Sequence, residues 1–182
     1  TAKYLGLERS LWFDARRDVV ESTNVAIDYL KYLNQRFSND WLLTLAAYNG
    51  GEGTLSKAIQ KNKQNSKNTQ FWGLELPTET ENYVPKLLAL AYVIKNKDKL
   101  GLNLPSIPNK PVFEIIELNQ QIELSTIIET AGIQYNTFTK FNPGYRRSVT
   151  PPNRTSNILL PAHAAELFRE FISLEDTNNW LP

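Results

Sequence analysis

Ala46-Ala47-Tyr48-Asn49-Gly50-Gly51-Glu52-Gly53 is the stretch on which the reading of the fold turns. Small apolar residues carry a helix to Tyr48, and Asn49-Gly50 ends it with residues that tolerate the left-handed conformation. Glu52 then opens straight into another helix. Upstream, Ser38-Asn39-Asp40 offers an N-cap for a helix over 41–48. Before that, Val19, Ser22, Ala26, Leu30, Leu33 and Phe37 recur at three- and four-residue spacing, which predicts a long helix over 18–37. Downstream, a helix is expected over 54–61, and the polar Lys/Asn/Ser stretch 62–69 reads as an exposed loop. Thr78-Glu79-Thr80-Glu81 fits a capping box and starts a helix that carries Leu87, Leu88, Ala91 and Ile94 towards Asn96. Pro85 falls inside it, so a kink or a restart is expected there, with Tyr83 two residues earlier. Residues 14 to about 96 therefore read as helical throughout.

The pattern changes once. Pro105, Pro108 and Pro111 mark a linker over 105–111, dividing a helical part, 1–104, from a mixed part, 112–182. Val112 to Leu118 alternates as a strand. Leu124, Ile127, Ile128 and Ala131 form a helical stripe that closes at Gly132. A short helix over 135–141 ends at Asn142-Pro143-Gly144, a second strand over 157–160 stops at Pro161, and a further helix is expected over 162–172.

Composition narrows the classes of function. The chain is 41% hydrophobic and 21% charged, which is ordinary for a globular protein. Twenty basic residues against nineteen acidic ones leave a net charge of +1, which gives no long-range pull towards nucleic acid. There is no cysteine, which excludes disulfides and thiolate metal sites. No apolar run approaches a membrane span, so no direct membrane segment is expected. Residue 1 is Thr and the chain has no Met, which reads as a processed or excised segment.

Taken alone, Ala-Tyr-Asn-Gly-Gly is a helix end followed by a turn. In combination with Glu81-Asn82-Tyr83-Val84-Pro85-Lys86, Ser38-Asn39-Asp40-Trp41-Leu42-Leu43 and Phe71-Trp72-x-Leu74-x-Leu76-Pro77, it resembles the bacterial lytic transglycosylases, closest to the membrane-bound lytic murein transglycosylase D type. That resemblance implies a mainly α, lysozyme-like catalytic half-domain over 1–104. It also implies a place in the bacterial cell envelope, periplasm or outer membrane, with any anchor outside this chain. The mixed part resembles a small α+β LysM module, a fold that binds N-acetylglucosamine polymers. It departs from that type in the long insert from Tyr145 to Ser156, in Asn119-Gln120-Gln121 where a Gly-Asp turn is usual, and in the extra C-terminal helix.

The family's reaction cleaves the β-1,4 bond between N-acetylmuramic acid and N-acetylglucosamine in peptidoglycan (murein). One glutamate protonates the glycosidic oxygen and then takes the proton of the sugar's own C6 hydroxyl as it attacks, so that a 1,6-anhydro product leaves without water. No cofactor or metal is needed. The resemblance places Tyr48, Asn49, Gly50 and Gly51 in the substrate cleft and makes Tyr83 a supporting catalytic residue. The catalytic glutamate and a Gly-x-x-Gln segment are expected upstream of Thr1. Within the chain Glu52, Glu79 and Glu81 are nearest the motif. Glu52 falls at a helix start, whose dipole favours negative charge, and Glu81 is expected to cap. The loss of a general acid costs about 10²- to 10⁴-fold in rate, so this polypeptide is expected to be inactive alone.

A rival class is a non-catalytic fragment that binds peptidoglycan or N-acetylglucosamine without cutting it. Either way the partner is the glycan strand, and apolar surface on the long helix and on 41–48 is expected to be exposed, open to a dimer or an exchanged segment. Gly51-Glu52-Gly53 is no phosphate loop, because no strand precedes it and no Lys-Ser/Thr follows. His163 reads as a solvated residue on a surface helix. Lys57, Lys61, Lys63 and Lys67 make a basic edge that reads as plain solubility or as a contact for peptide-stem carboxylates. Trp41 and Trp72 are expected to anchor a core, with stacking on sugar rings as the alternative.

Overall fold

The computed structural model describes residues 2–152 and 154–174. Among them are seven α-helices, one 3-10 turn and a two-stranded antiparallel sheet. The chain gathers into two compact units, one of Ala26–Ile107 and the other of the residues up to Val25 together with those from Pro108 onward. The division falls inside the first helix, α1 (Val19–Arg36).

The first unit is helical. α1 begins where Asp18 caps it, its carboxylate accepting from the amides of Val20 and Glu21 at 2.9 and 2.7 Å. α2 (Trp41–Gly50) begins the same way at Asp40, which accepts from Leu42 and Leu43. α3 (Glu52–Gln64), the 3-10 turn Phe71–Gly73 and α4 (Thr78–Lys95) complete the unit. Its core is Leu33, Phe37, Ala46, Ala47, Leu55, Phe71, Leu74 and Val84. Thus the mainly α expectation holds, with local corrections. Residues 14–18 form turns and a bridge, not helix. Of the α1 stripe only Leu33 is buried within the helix, and Val19 is exposed.

α3 is longer than expected. Asn62 is buried inside it and donates to the carbonyls of Asn68 and Gly73, so the following loop is tied down at its root. α4 continues through Pro85 as one helix. Its N-cap is Pro77 without a side-chain bond, so Thr78 does not complete a capping box. Glu81 instead accepts from the Leu76 amide at 3.1 Å. Trp41 and Trp72 are 57% and 65% exposed and anchor no core, because the inward positions are filled by Leu33, Phe37 and Phe71.

The second unit pairs β1 (Phe113–Leu118) with β2 (Ser156–Pro161), in register Phe113↔Pro161 to Leu118↔Ser156. α5 (Leu124–Thr130), α6 (Tyr135–Phe141) and α7 (Ala162–Leu174) surround a core centred on Ile127, Phe138, Ile158, Leu160 and Phe168. This is the LysM-like strand–helix–helix–strand order with its extra helix. Residues 175–182, the end of the expected module, lie outside the described residues.

A segment from the chain's start packs into this unit. Phe13 is buried, its ring meeting Tyr145 edge-on at 5.1 Å. The Asp14 amide donates to Gly144 O, and the Arg146 amide to Trp12 O. A Cβ at Gly144 would stand 2.7 Å from the Phe13 ring, so the glycine of Asn142-Pro143-Gly144 serves this contact. Arg154 lies over the Phe13 ring and pairs with both Glu8 and Glu21.

Candidate functional site

The helix carrying the Tyr-Asn motif ends two residues later than its sequence suggests. Asn49 and Gly50 stay helical, and it is Gly51, at φ +87°, that turns the chain. Gly51 also caps α3, accepting from the Leu55 amide, so two helices share one glycine. Gly50 has a different reason to be glycine. A Cβ there would lie 2.5 Å from the Thr80 hydroxyl oxygen, so α4 fills the space that a side chain would need.

That close approach of α4 to α2 sets the chemistry of Asn49. Its Nδ2 donates to Glu79 Oε1 at 3.2 Å. A carboxylate only accepts, so the amide must turn its nitrogen towards Glu79. Its other end, Oδ1, is buried and has no hydrogen-bond partner among the described residues. The result is a fixed amide with one committed donor and one open acceptor. Such an orphan acceptor is costly to the fold, and the bond to Glu79 is what holds the amide in place.

The remaining candidates are distributed around this pair. Tyr83 stands one helical turn after Glu79 on α4 and packs, half-buried, against the unit's core. The Tyr48 ring is partly exposed and lies 6.0 Å from Tyr29, not against Tyr83. Glu52 occupies the first turn of α3, with its Oε2 3.6 Å from Arg36 Nε. Glu81 is engaged at Leu76. A cavity of about 590 Å³ in this unit opens at the far end of α2, beside Asp40, Leu43 and Ile59, away from the motif. His163 is exposed on α7, and Lys61 of the basic edge pairs with Glu75, whose carboxyl it holds below its usual range.

Sequence reasoning missed Glu79 as the partner of Asn49 and Thr80 as the reason for Gly50. Both sit in Thr-Glu-Thr-Glu, where a local capping pattern masked a long-range role.

Residues 1–71 match the transglycosylase SLT domain model. Residues 112–175 match the model of the LysM-like domain of lytic transglycosylase MltD. The chain is 39% identical, over 95% of its length, to the membrane-bound lytic murein transglycosylase D of Escherichia coli strain K12, and equally to that of strain O6:H1. The chain belongs to the lytic murein transglycosylase family.

A second kind of relative is a putative tributyltin chloride resistance protein of Alteromonas sp. strain M-1, 31% identical over 65% of the chain. The chain spans 38% of the length of the E. coli proteins and 55% of the Alteromonas one. In this transglycosylase chain the SLT match includes Tyr48 to Gly51 but ends before α4, which brings Glu79 to the motif from outside it. The match also includes residues 2–25, which gather with the LysM-like part.

Proposed function

We propose that this chain supplies one wall of a peptidoglycan lytic transglycosylase cleft, in which the MurNAc–GlcNAc β-1,4 bond is cleaved with formation of a 1,6-anhydro product. The observation that carries the reading is Asn49, held by Glu79 through its nitrogen inside the family's motif. An amide fixed in this way keeps a second N–H on Nδ2 for the carbonyl of a 2-acetamido group, and so orients the sugar for attack by its own C6 hydroxyl. Tyr48, Gly50 and Gly51 border the same wall, and Tyr83 lends a phenol on the α4 side.

The general acid is the element this wall lacks. Glu79 is bonded to Asn49, Glu81 to Leu76, and Glu52 is paired with Arg36. Each is held by a neighbour within the protein, which supports the reading, implied by the family resemblance, that the catalytic glutamate lies outside this chain. In the envelope, the chain's partner is the glycan strand.

Incubation with purified peptidoglycan separates cleavage from holding. Mass spectrometry looks for 1,6-anhydromuropeptides while co-sedimentation measures retention on the same sacculi. Retention without anhydro product is expected. Anhydro product at a rate near that of a full-length relative sinks the assignment of the acid, and absence of both retention and product sinks the cleft.

A further inference from the structure

The long connection from α6 to β2 is anchored at both ends. At its far end Thr150 is fully buried; its hydroxyl accepts from the Ile122 amide at 2.9 Å and its own amide donates to Ile122 O. Next to it the Leu124 amide donates to Ser148 O at 2.7 Å, and Glu123 and Val149 form a bridge. At its near end the Arg146 amide and guanidinium donate to Trp12 O and Ser10 O. Between the anchors, Arg147 and Ser148 are exposed.

These two residues belong to the walls of two cavities. One, of about 380 Å³, is bordered by Ser125, Tyr135 and Thr139. The other, of about 350 Å³, is bordered by Leu11 and Trp12. Sharing Arg147 and Ser148, they adjoin as one groove along the connection. Each is of the size that takes a small ligand. No acidic side chain lines either, whereas Arg147 lines both. Its guanidinium makes no hydrogen bond or ion pair among the described residues. Tyr135, 65% exposed, adds an aromatic face at one end of the groove, and Trp12 lines the other.

A guanidinium fork with no partner, in a groove without acids, is complementary to a carboxylate. The flanking rings and hydroxyls suit the amide and methyl groups of a short peptide. A neutral glycan offers nothing to the charge, but the lactyl-peptide arm of a muropeptide does. We propose that this groove binds the carboxylate-bearing peptide arm of peptidoglycan, with Arg147 taking the carboxylate and Trp12 and Tyr135 flanking the backbone. The choice of ligand rests on the peptidoglycan reading above; the preference for an anion rests on the groove alone.

The test uses the full chain, ¹⁵N-labelled, titrated with N-acetylmuramyl-L-alanyl-D-isoglutamine, with its carboxylate-amidated form, and with chitotriose. Shifts are expected at the Trp12 indole and at the amides of 124–148 with the first probe. Arg147→Ala is expected to weaken that binding about tenfold, and Arg147→Lys to restore only part, because lysine lacks the bidentate fork. Equal response to chitotriose or to the amidated probe overturns the proposal, as does an Arg147→Ala variant that binds unchanged. Shifts confined to Asn49 and Tyr83 overturn it while leaving the cleft reading standing. Shifts at the groove with none at Asn49 or Tyr83 uphold it without the cleft.

Discussion

Gly50 and Thr80 compete for one volume, and the geometry of Asn49 depends on which of them holds it. Gly50→Ala puts a methyl 2.5 Å from the Thr80 hydroxyl oxygen, so α2 and α4 must part or Thr80 must rotate. The expected cost is about 1–3 kcal/mol, as for overpacking in general, read by urea unfolding. Thr80→Ala in the same chain vacates the space, and a double-mutant cycle should return a coupling of about 1 kcal/mol or more. Additive effects would show that Gly50 is glycine for another reason. At this scale the sequence put forward Tyr48, Asn49 and Tyr83 as candidates, because a short motif in family order is a local signal. It did not disclose Glu79, whose bond to Asn49 spans thirty residues. Nor did it show that one of Asn49's two N–H donors is committed, since that follows from the partner on α4.

Elements were legible where periodicity is strong, and illegible where the chain runs as a strap. α1, α5, α6 and both strands stand close to their expected bounds because each has a repeating apolar face. Residues 8–18 have no such repeat; their order comes from what they dock on. One consequence is acid sensitivity. Arg16 donates to Asp14 through Nε and Nη2 at 2.8 and 2.6 Å, and this bond chiefly lowers the Asp14 pKa from 3.8 to about 2. A depressed carboxyl stabilises the fold above its unfolded pKa and loses that contribution as pH falls through the folded value. The stability gap between the wild type and Asp14→Asn should therefore be full at neutral pH and close between about pH 4 and pH 2; a gap independent of pH refutes the linkage. A second consequence lies at the α6–β2 junction. Asn142 is buried, donates to Phe138 O and Leu159 O, and accepts from the Leu159 amide. It thus stands in for a neighbouring strand along β2. Asn142→Ala leaves those backbone groups unpaired and is expected to cost about 2–4 kcal/mol, measured by denaturant unfolding. A change under about 0.5 kcal/mol would mean that water replaces the amide.

Over the whole molecule, apolar residues that read as inward from the sequence are divided between core and surface. Exposed apolar surface was expected on the long helix and on 41–48, and Val19, Ile27 and Tyr32 of α1 are exposed, together with Trp41 and Tyr48 of α2. On α4 the helix expected to carry Leu87, Leu88, Ala91 and Ile94 leaves Leu87, Leu88 and Ile94 exposed, and Leu90 with them. A helical period fixes which residues share a face but not whether anything covers it. Among the described residues no helix is long and apolar enough to cross a membrane, so lipid burial of a spanning helix does not account for the stripe. Water contact with so contiguous a surface favours association. The polypeptide, 20.8 kDa as a single chain, is therefore expected to show a larger mass by light scattering, increasing with concentration between about 10 and 100 µM. Leu90→Glu, at the centre of the stripe and away from the buried contacts of Val84, should reduce the associated fraction at least severalfold while leaving the helical circular dichroism unchanged. A monomer mass throughout that range, or association indifferent to Leu90→Glu, would show that the exposed stripe of α4 is not what brings copies together.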